Sequence, residues 1–215
     1  MEGDFDMSRN FKAFIAVIVC AAVMSQGVQA FAFGGAFLFG LAENYRLQKK
    51  AENGDSESQF KLGNMYRTGK GVNLNMREAV KWYTIAADNG HVRAQYNLAQ
   101  MYRLGDGVSQ DKAKAAELYT MAAKHGNSDA QYNLALMYYN GDGVERDLRR
   151  AFDWYMKAAI SGDANAQYNL AIMYGRGEGV PENRKEAVIW LRMAARQGHK
   201  DAQEGLKMLG ESWRR

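Results

Sequence analysis

Cysteine is all but missing. Cys20 is the one cysteine in 215 residues, and it lies inside an N-terminal apolar stretch. Downstream of it the chain has no disulfide, no thiolate nucleophile and no cysteine ligand for a metal. Proline is as scarce, one against 22 glycines. So little proline lets the chain run through many helices, and glycine at regular spacing can end each of them. Charge of one sign is also lacking. The 28 Lys and Arg barely exceed the 24 Asp and Glu, and no basic run is longer than a pair such as Arg149-Arg150 or Arg214-Arg215. A nucleic-acid binder gathers basic residues on one face, so no nucleic-acid partner is expected. No Asn-x-Ser/Thr acceptor for a glycan occurs, in keeping with a bacterial source. Apolar residues at 47% still suffice for a core.

What is present begins with an export signal. Arg9 and Lys12 precede an apolar run from Ala13 to Met24, and Val28-Gln29-Ala30 supplies a small-residue cleavage site. Residues 1–30 are read as a signal peptide, with cleavage expected after Ala30. Met7 is the alternative start, because it removes Glu2, Asp4 and Asp6 from the charged leader. Lipidation at Cys20 is disfavoured, because Val19 stands where a small residue is needed. A retained anchor is the competing reading. No charge occurs from Ala13 to Ala42, and a bilayer span needs about 20 apolar residues. Membrane contact, where there is any, is expected through residues 13–41. Either way the repeats face outside the cytoplasm, with the periplasm as the expected location.

The remainder is periodic. Ala94 begins AQYNLAQMYRLGDGV, Ala130 begins AQYNLALMYYNGDGV, and Ala166 begins AQYNLAIMYGRGEGV. Ser58 begins a weaker copy, SQFKLGNMYRTGKGV; each start falls 36 residues after the last. A truncated copy starts at Ala202, and Tyr45 to Glu57 aligns with the second half of a unit. Ala, Leu and Tyr at unit positions 1, 5 and 9 share one helical face, and Met at position 8 widens it. A G-x-G-V turn follows, as in Gly105-Asp106-Gly107-Val108, with the Val expected in the helix-pair core. A second helix carries Ala at positions 22, 29 and 30 and large residues at 25 and 26, as in Ala151, Trp154, Tyr155, Ala158 and Ala159. Gly90, Gly126, Gly162 and Gly198 close each unit. Nine or ten helices in antiparallel pairs and no sheet are predicted.

This combination of 36-residue period, paired helices and G-x-G-V turn resembles the Sel1-like repeat family, a relative of the tetratricopeptide repeat. The resemblance implies an all-α fold, a right-handed α/α solenoid superhelix of about four repeats with partial repeats at both ends. It also implies a concave face that recruits a protein or peptide. The chain then divides into an apolar segment with a capping helix at 31–57, repeats at 58–93, 94–129, 130–165 and 166–201, and a capping half-repeat at 202–215. The family shares no single activity, so fold does not fix function.

First-helix positions off the packing face are the candidates for binding. Asn97, Asn133 and Asn169, at position 4, are expected to form a ladder of amides able to grip an extended backbone. Gln100, Leu136 and Ile172, at position 7, lie beside them, and Arg103 and Tyr139, at position 10, are expected to flank the groove. An exported scaffold or adaptor that regulates an envelope complex is the leading function. The alternative is an envelope hydrolase or a carbohydrate- or peptidoglycan-binding protein. No enzyme is expected. Asp106, Asp142 and Glu178 sit singly in turns, with no acid and base paired in a cleft. Ser58 and Lys61 match an S-x-x-K string, but the same places read AQYN in the next three units. Disulfide-rich relatives have been linked to β-lactam binding, and their cysteines are missing here. His91, His125 and His199 fall in the links between units, at roughly equivalent places, too far apart to converge on a metal. No cofactor is expected.

Overall fold

A computed structural model describes residue 40 and residues 42–213. The signal segment 1–30 with its cleavage site, Cys20 and nearly all of the apolar stretch to Leu41 lie outside the described residues. The chain divides into two compact units, residues 1–50 and residues 51–215. In the first, the described residues 42–50 are helical.

Among its described residues the second unit holds nine helices and no strand. They are α1 Ser56–Thr68, α2 Met76–Asp88, α3 Val92–Leu104, α4 Lys112–Lys124, α5 Ser128–Asn140, α6 Leu148–Ile160, α7 Ala164–Arg176, α8 Arg184–Arg196 and α9 Lys200–Met208. Each packs against its neighbours in sequence, so α1 to α8 form four pairs and α9 closes the series. The unit is an all-α solenoid.

Local chemistry sets every boundary. The first helix of each unit starts two residues before the AQYN string, because a side chain caps it there. Asp55, His91, Asn127, Asp163 and His199 each accept the backbone N–H three residues on. Asn75, Asp111, Asp147 and Asn183 cap the second helices in the same way. Gly69, Gly105, Gly141 and Gly177 end the first helices in the left-handed region, at φ between 68° and 82°. The second glycine of the turn has an additional duty. A Cβ on Gly179 would lie 2.2 Å from the Leu148 carbonyl oxygen, and one on Gly143 would lie 2.4 Å from the Lys112 carbonyl carbon. From the second unit on, each turn thus rests on the start of the second helix of the unit before it.

The core follows the predicted faces with one change. Ala, Leu and Met at positions 1, 5 and 8 are the buried line from the second unit on, as in Ala130, Leu134 and Met137. Tyr66, Tyr102, Tyr138 and Tyr174 at position 9 are half-buried, as suits a ring whose hydroxyl reaches for solvent. Their backbone carbonyls accept from Asn75, Asp111, Asp147 and Asn183, tying each second-helix cap to the first helix. The second-helix tyrosines Tyr83, Tyr119 and Tyr155 are almost wholly buried. Val108 and Val144 pack against the core from the turns.

One buried row is polar. Gln59, Gln95, Gln131 and Gln167, at position 2, are sequestered in the core. Each side-chain amide donates to a carbonyl near the end of the preceding second helix. The acceptors are Ala51, Ala87, Ala123 and Ala159, at 3.0–3.2 Å, and Gln203 repeats the bond to Ala195 at 2.9 Å. Each of these carbonyls also accepts the N–H of the glycine three residues on, so the glutamine adds a second bond to a helix end across every unit boundary. Each such bond contributes about 0.5–1.5 kcal/mol net.

Candidate protein-binding surface

The first helices α5 and α7 share a cleft of about 270 Å³. Leu136, Tyr139 and Asn140 line it from α5, and Asn169, Ile172 and Arg176 from α7. The Tyr168 ring adds a wall, and Tyr155 of α6 reaches it from below. Burial is the main reason that the Tyr155 hydroxyl titrates well above the usual tyrosine range, and a hydrogen bond with Asn169 opposes the shift. The Tyr139 hydroxyl donates to Glu178 Oε2 at 2.8 Å, and Arg176 pairs with the same carboxylate at 3.8 Å. That hydrogen bond is the chief cause of the raised Tyr139 pKa, since a neighbouring carboxylate penalises a second negative charge.

Leu136, Tyr139, Asn169 and Ile172, four of the eight expected residues, therefore meet in one cleft. Asn97, Gln100, Arg103 and Asn133 do not line it. Gln100 donates to the Tyr96 hydroxyl. Asn133 also interacts with that hydroxyl, and its amide donates to the Asp129 carbonyl at 2.7 Å, one turn back on its own helix. Asn97 is half-buried.

Position 10 behaves differently from the expected flank. Arg67 Nε donates to the Tyr83 hydroxyl at 3.1 Å, and Asn64 Oδ1 accepts from that hydroxyl at 2.8 Å. Arg103 sits likewise against Tyr119: desolvation raises that phenol's pKa, and Arg103 lowers it in part. Arg103 Nε and the Tyr119 hydroxyl are both buried, and neither has a bond of good geometry to any other group. The arginines thus seat themselves on the tyrosine of their own unit.

The remaining motifs have structural roles. His91 and His199 are N-caps that accept through Nδ1, at 3.2 and 3.3 Å. His125 is not at the equivalent place, contrary to expectation; it stands two residues before the cap Asn127, at the end of α4. His91 Nε2 lies 3.0 Å from Glu57 Oε2, and Arg93 pairs with the same oxygen at 3.0 Å. The His91 hydrogen bond, then Arg93 and Lys61, hold the Glu57 carboxyl below its ordinary range against the cost of burial. Ser58 Oγ donates to the cap Asp55, and Lys61 pairs with Glu57 at 3.6 Å, so each half of the S-x-x-K string is engaged by a neighbour on or beside its own helix. Asp142 pairs with Lys112 at 2.9 Å. Among the described residues no group of His, Cys, Asp and Glu is placed to hold a metal ion. None of their helices is long and apolar enough to cross a membrane.

The Sel1 repeat model matches four consecutive stretches, residues 56–91, 92–127, 128–163 and 164–199. The chain belongs to the Sel1 repeat family. The model's frame begins with the helix after each cap, two residues ahead of the frame taken from the AQYN strings. This Sel1 repeat chain is similar to a protective antigen of uropathogenic Escherichia coli strains with an SLR fold, at 34% identity and a TM-score of 0.73. It is also similar to a Sel1 repeat protein from Oxalobacter formigenes, at 36% identity and a TM-score of 0.72. The alignments cover 76% and 90% of this chain, but only 35% and 59% of those two chains. No curated protein matches. Sel1 repeats serve in general as scaffolds for protein–protein interaction rather than as catalysts, and this chain carries four.

Proposed function

We propose that this chain is an exported adaptor that holds a protein or peptide partner along its first helices and so regulates an envelope complex. The cleft between α5 and α7 carries the reading. There Leu136 and Ile172 offer apolar contact, and Asn169 and Asn140 offer amides within the same opening. Apolar surface with a few convergent polar groups is the composition of a recognition site. The Asn97–Asn133–Asn169 row carries the same face on to one further first helix, α3. Export is supported by Arg9, Lys12, the apolar run from Ala13 to Met24 and the small residues Val28 and Ala30. The periplasm is the proposed location.

The test is capture of partners from the envelope fraction of the native source by the wild type and by the Asn97→Ala/Asn133→Ala/Asn169→Ala variant. Asn133 and Asn169 make internal hydrogen bonds, so each substitution is expected to cost about 0.5–1.5 kcal/mol. Capture is compared at a temperature where both proteins are folded. Loss of a specific partner in the variant supports the reading, and undiminished capture overturns it. N-terminal sequencing checks export: a mature chain beginning at Phe31 is expected, and a membrane-bound chain retaining Met1 or Met7 refutes cleavage.

A further inference from the structure

Three successive units place a tyrosine hydroxyl at the same depth beneath the first helices: Tyr83, Tyr119 and Tyr155. Over the first sits an arginine from position 10 of the same unit, Arg67 with Nε at 3.1 Å; in the second, Arg103 at the same position acts on Tyr119, though neither its buried Nε nor the hydroxyl makes a hydrogen bond. In the third unit position 10 is Tyr139. Its hydroxyl turns away to Glu178, and the cleft opens at Tyr155. The fourth unit has Leu191 in place of the buried tyrosine and Gly175 at position 10, so it lacks both halves of the arrangement. One seat of the three is therefore built without its guanidinium.

The geometry points to this cleft as a receptor for an arginine side chain of the partner, its guanidinium seated on Tyr155 as Arg67 is seated on Tyr83. Groups able to accept from a guanidinium line it: the Tyr155 hydroxyl and the side-chain amides of Asn140 and Asn169, the latter hydrogen-bonded to that hydroxyl. The Tyr139 and Tyr168 rings flank the opening, and aromatic faces suit guanidinium better than ammonium. Glu178 stands beside Tyr139, and Arg176, which also lines the cleft, is 63% exposed and has its charge paired with that carboxylate. Leu136 and Ile172 give the aliphatic stem of an arginine an apolar track. A lysine would fill the same space with a point charge and leave the fork of acceptors unmatched.

This inference rests on the reading that the first-helix face takes a peptide, and it fails separately from it. The probe is N-acetyl-L-arginine methylamide, titrated into the 15N-labelled protein, with the lysine, leucine and phenylalanine analogues as comparators. Saturable shifts are expected at Tyr168, Asn169 and Ile172, with a dissociation constant on the order of 10 mM for so small a fragment. Arginine is expected to bind most tightly of the four. Tyr139→Arg should fill the seat from within and weaken the arginine probe about tenfold or more. The variant gives up the Tyr139–Glu178 hydrogen bond, so the probe is compared at a temperature where variant and wild type are both folded. Tyr155→Phe keeps the ring, removes the hydroxyl and should also weaken the probe. Tighter binding of the leucine or phenylalanine probe overturns the assignment. So does no saturable shift in the wild type, or equal binding by either variant. Partner capture that still depends on the asparagine row would, in those cases, leave the broader function standing.

Discussion

Ser161 closes α6 where Asn89 closes α2 and Gln197 closes α8, and its side chain is too short for what they do. The Asn89 amide donates to Gln59 Oε1 at 2.9 Å, and the Gln197 amide to Gln167 Oε1 at 2.8 Å. Gln131 Oε1, the equivalent acceptor, is buried and unmatched. Ser161→Asn supplies the missing donor, and the backbone need not change: φ −72° and ψ −2° are close to the −80° and 13° of Asn89. A gain of about 1 kcal/mol is expected, read as a higher urea midpoint at constant slope. An unmoved midpoint would show that Gln131 suffers no penalty. The glutamines stood in plain view, second in each AQYN string, yet counting faces by apolar period passes over a polar residue. Nothing in the spacing shows that their partner is a helix-end carbonyl of the preceding unit.

At the level of elements, the glycine turns separate two effects that a positive φ alone would merge. Gly126 has φ 83° and open space where a Cβ would go, so Gly126→Ala should cost only the left-handed strain, about 1–2 kcal/mol. Gly179 has φ 72°, and its Cβ would press on the backbone of Leu148 and Arg149 at 2.2–3.0 Å. Gly179→Ala is therefore expected to lose at least about 3 kcal/mol, since backbone cannot step aside as a side chain can. Equal losses in chemical denaturation would contradict the close approach. The reversal at each G-x-G-V turn was legible from residue type. The approach was not, because it joins residues of different units that only the packed array brings together.

The molecule as a whole is a chain of neighbours, each helix touching the one before and the one after. Leu134→Ala, at a fully buried site, should cost about 2–5 kcal/mol. In native-state hydrogen exchange the protection of α4 to α6 should fall most, and that of α1 and α9 least. A uniform fall would mean that the array opens all at once. The repeat and the helix pairs could be read from spacing alone, as could the neighbourhood of Leu136 and Ile172, which differ by one period. The seating of Arg67 and Arg103 could not, since it depends on a tyrosine in the other helix of the same unit. The glutamine bond has a wider consequence. Every boundary carries the same joint, made by Gln59, Gln95, Gln131, Gln167 and Gln203. In the gene, an in-frame duplication of one 36-codon stretch delivers a unit whose partners on both sides are already encoded. Recombination can thus lengthen or shorten the array without inventing an interface, and single codons at position 10 then decide which seats stay open.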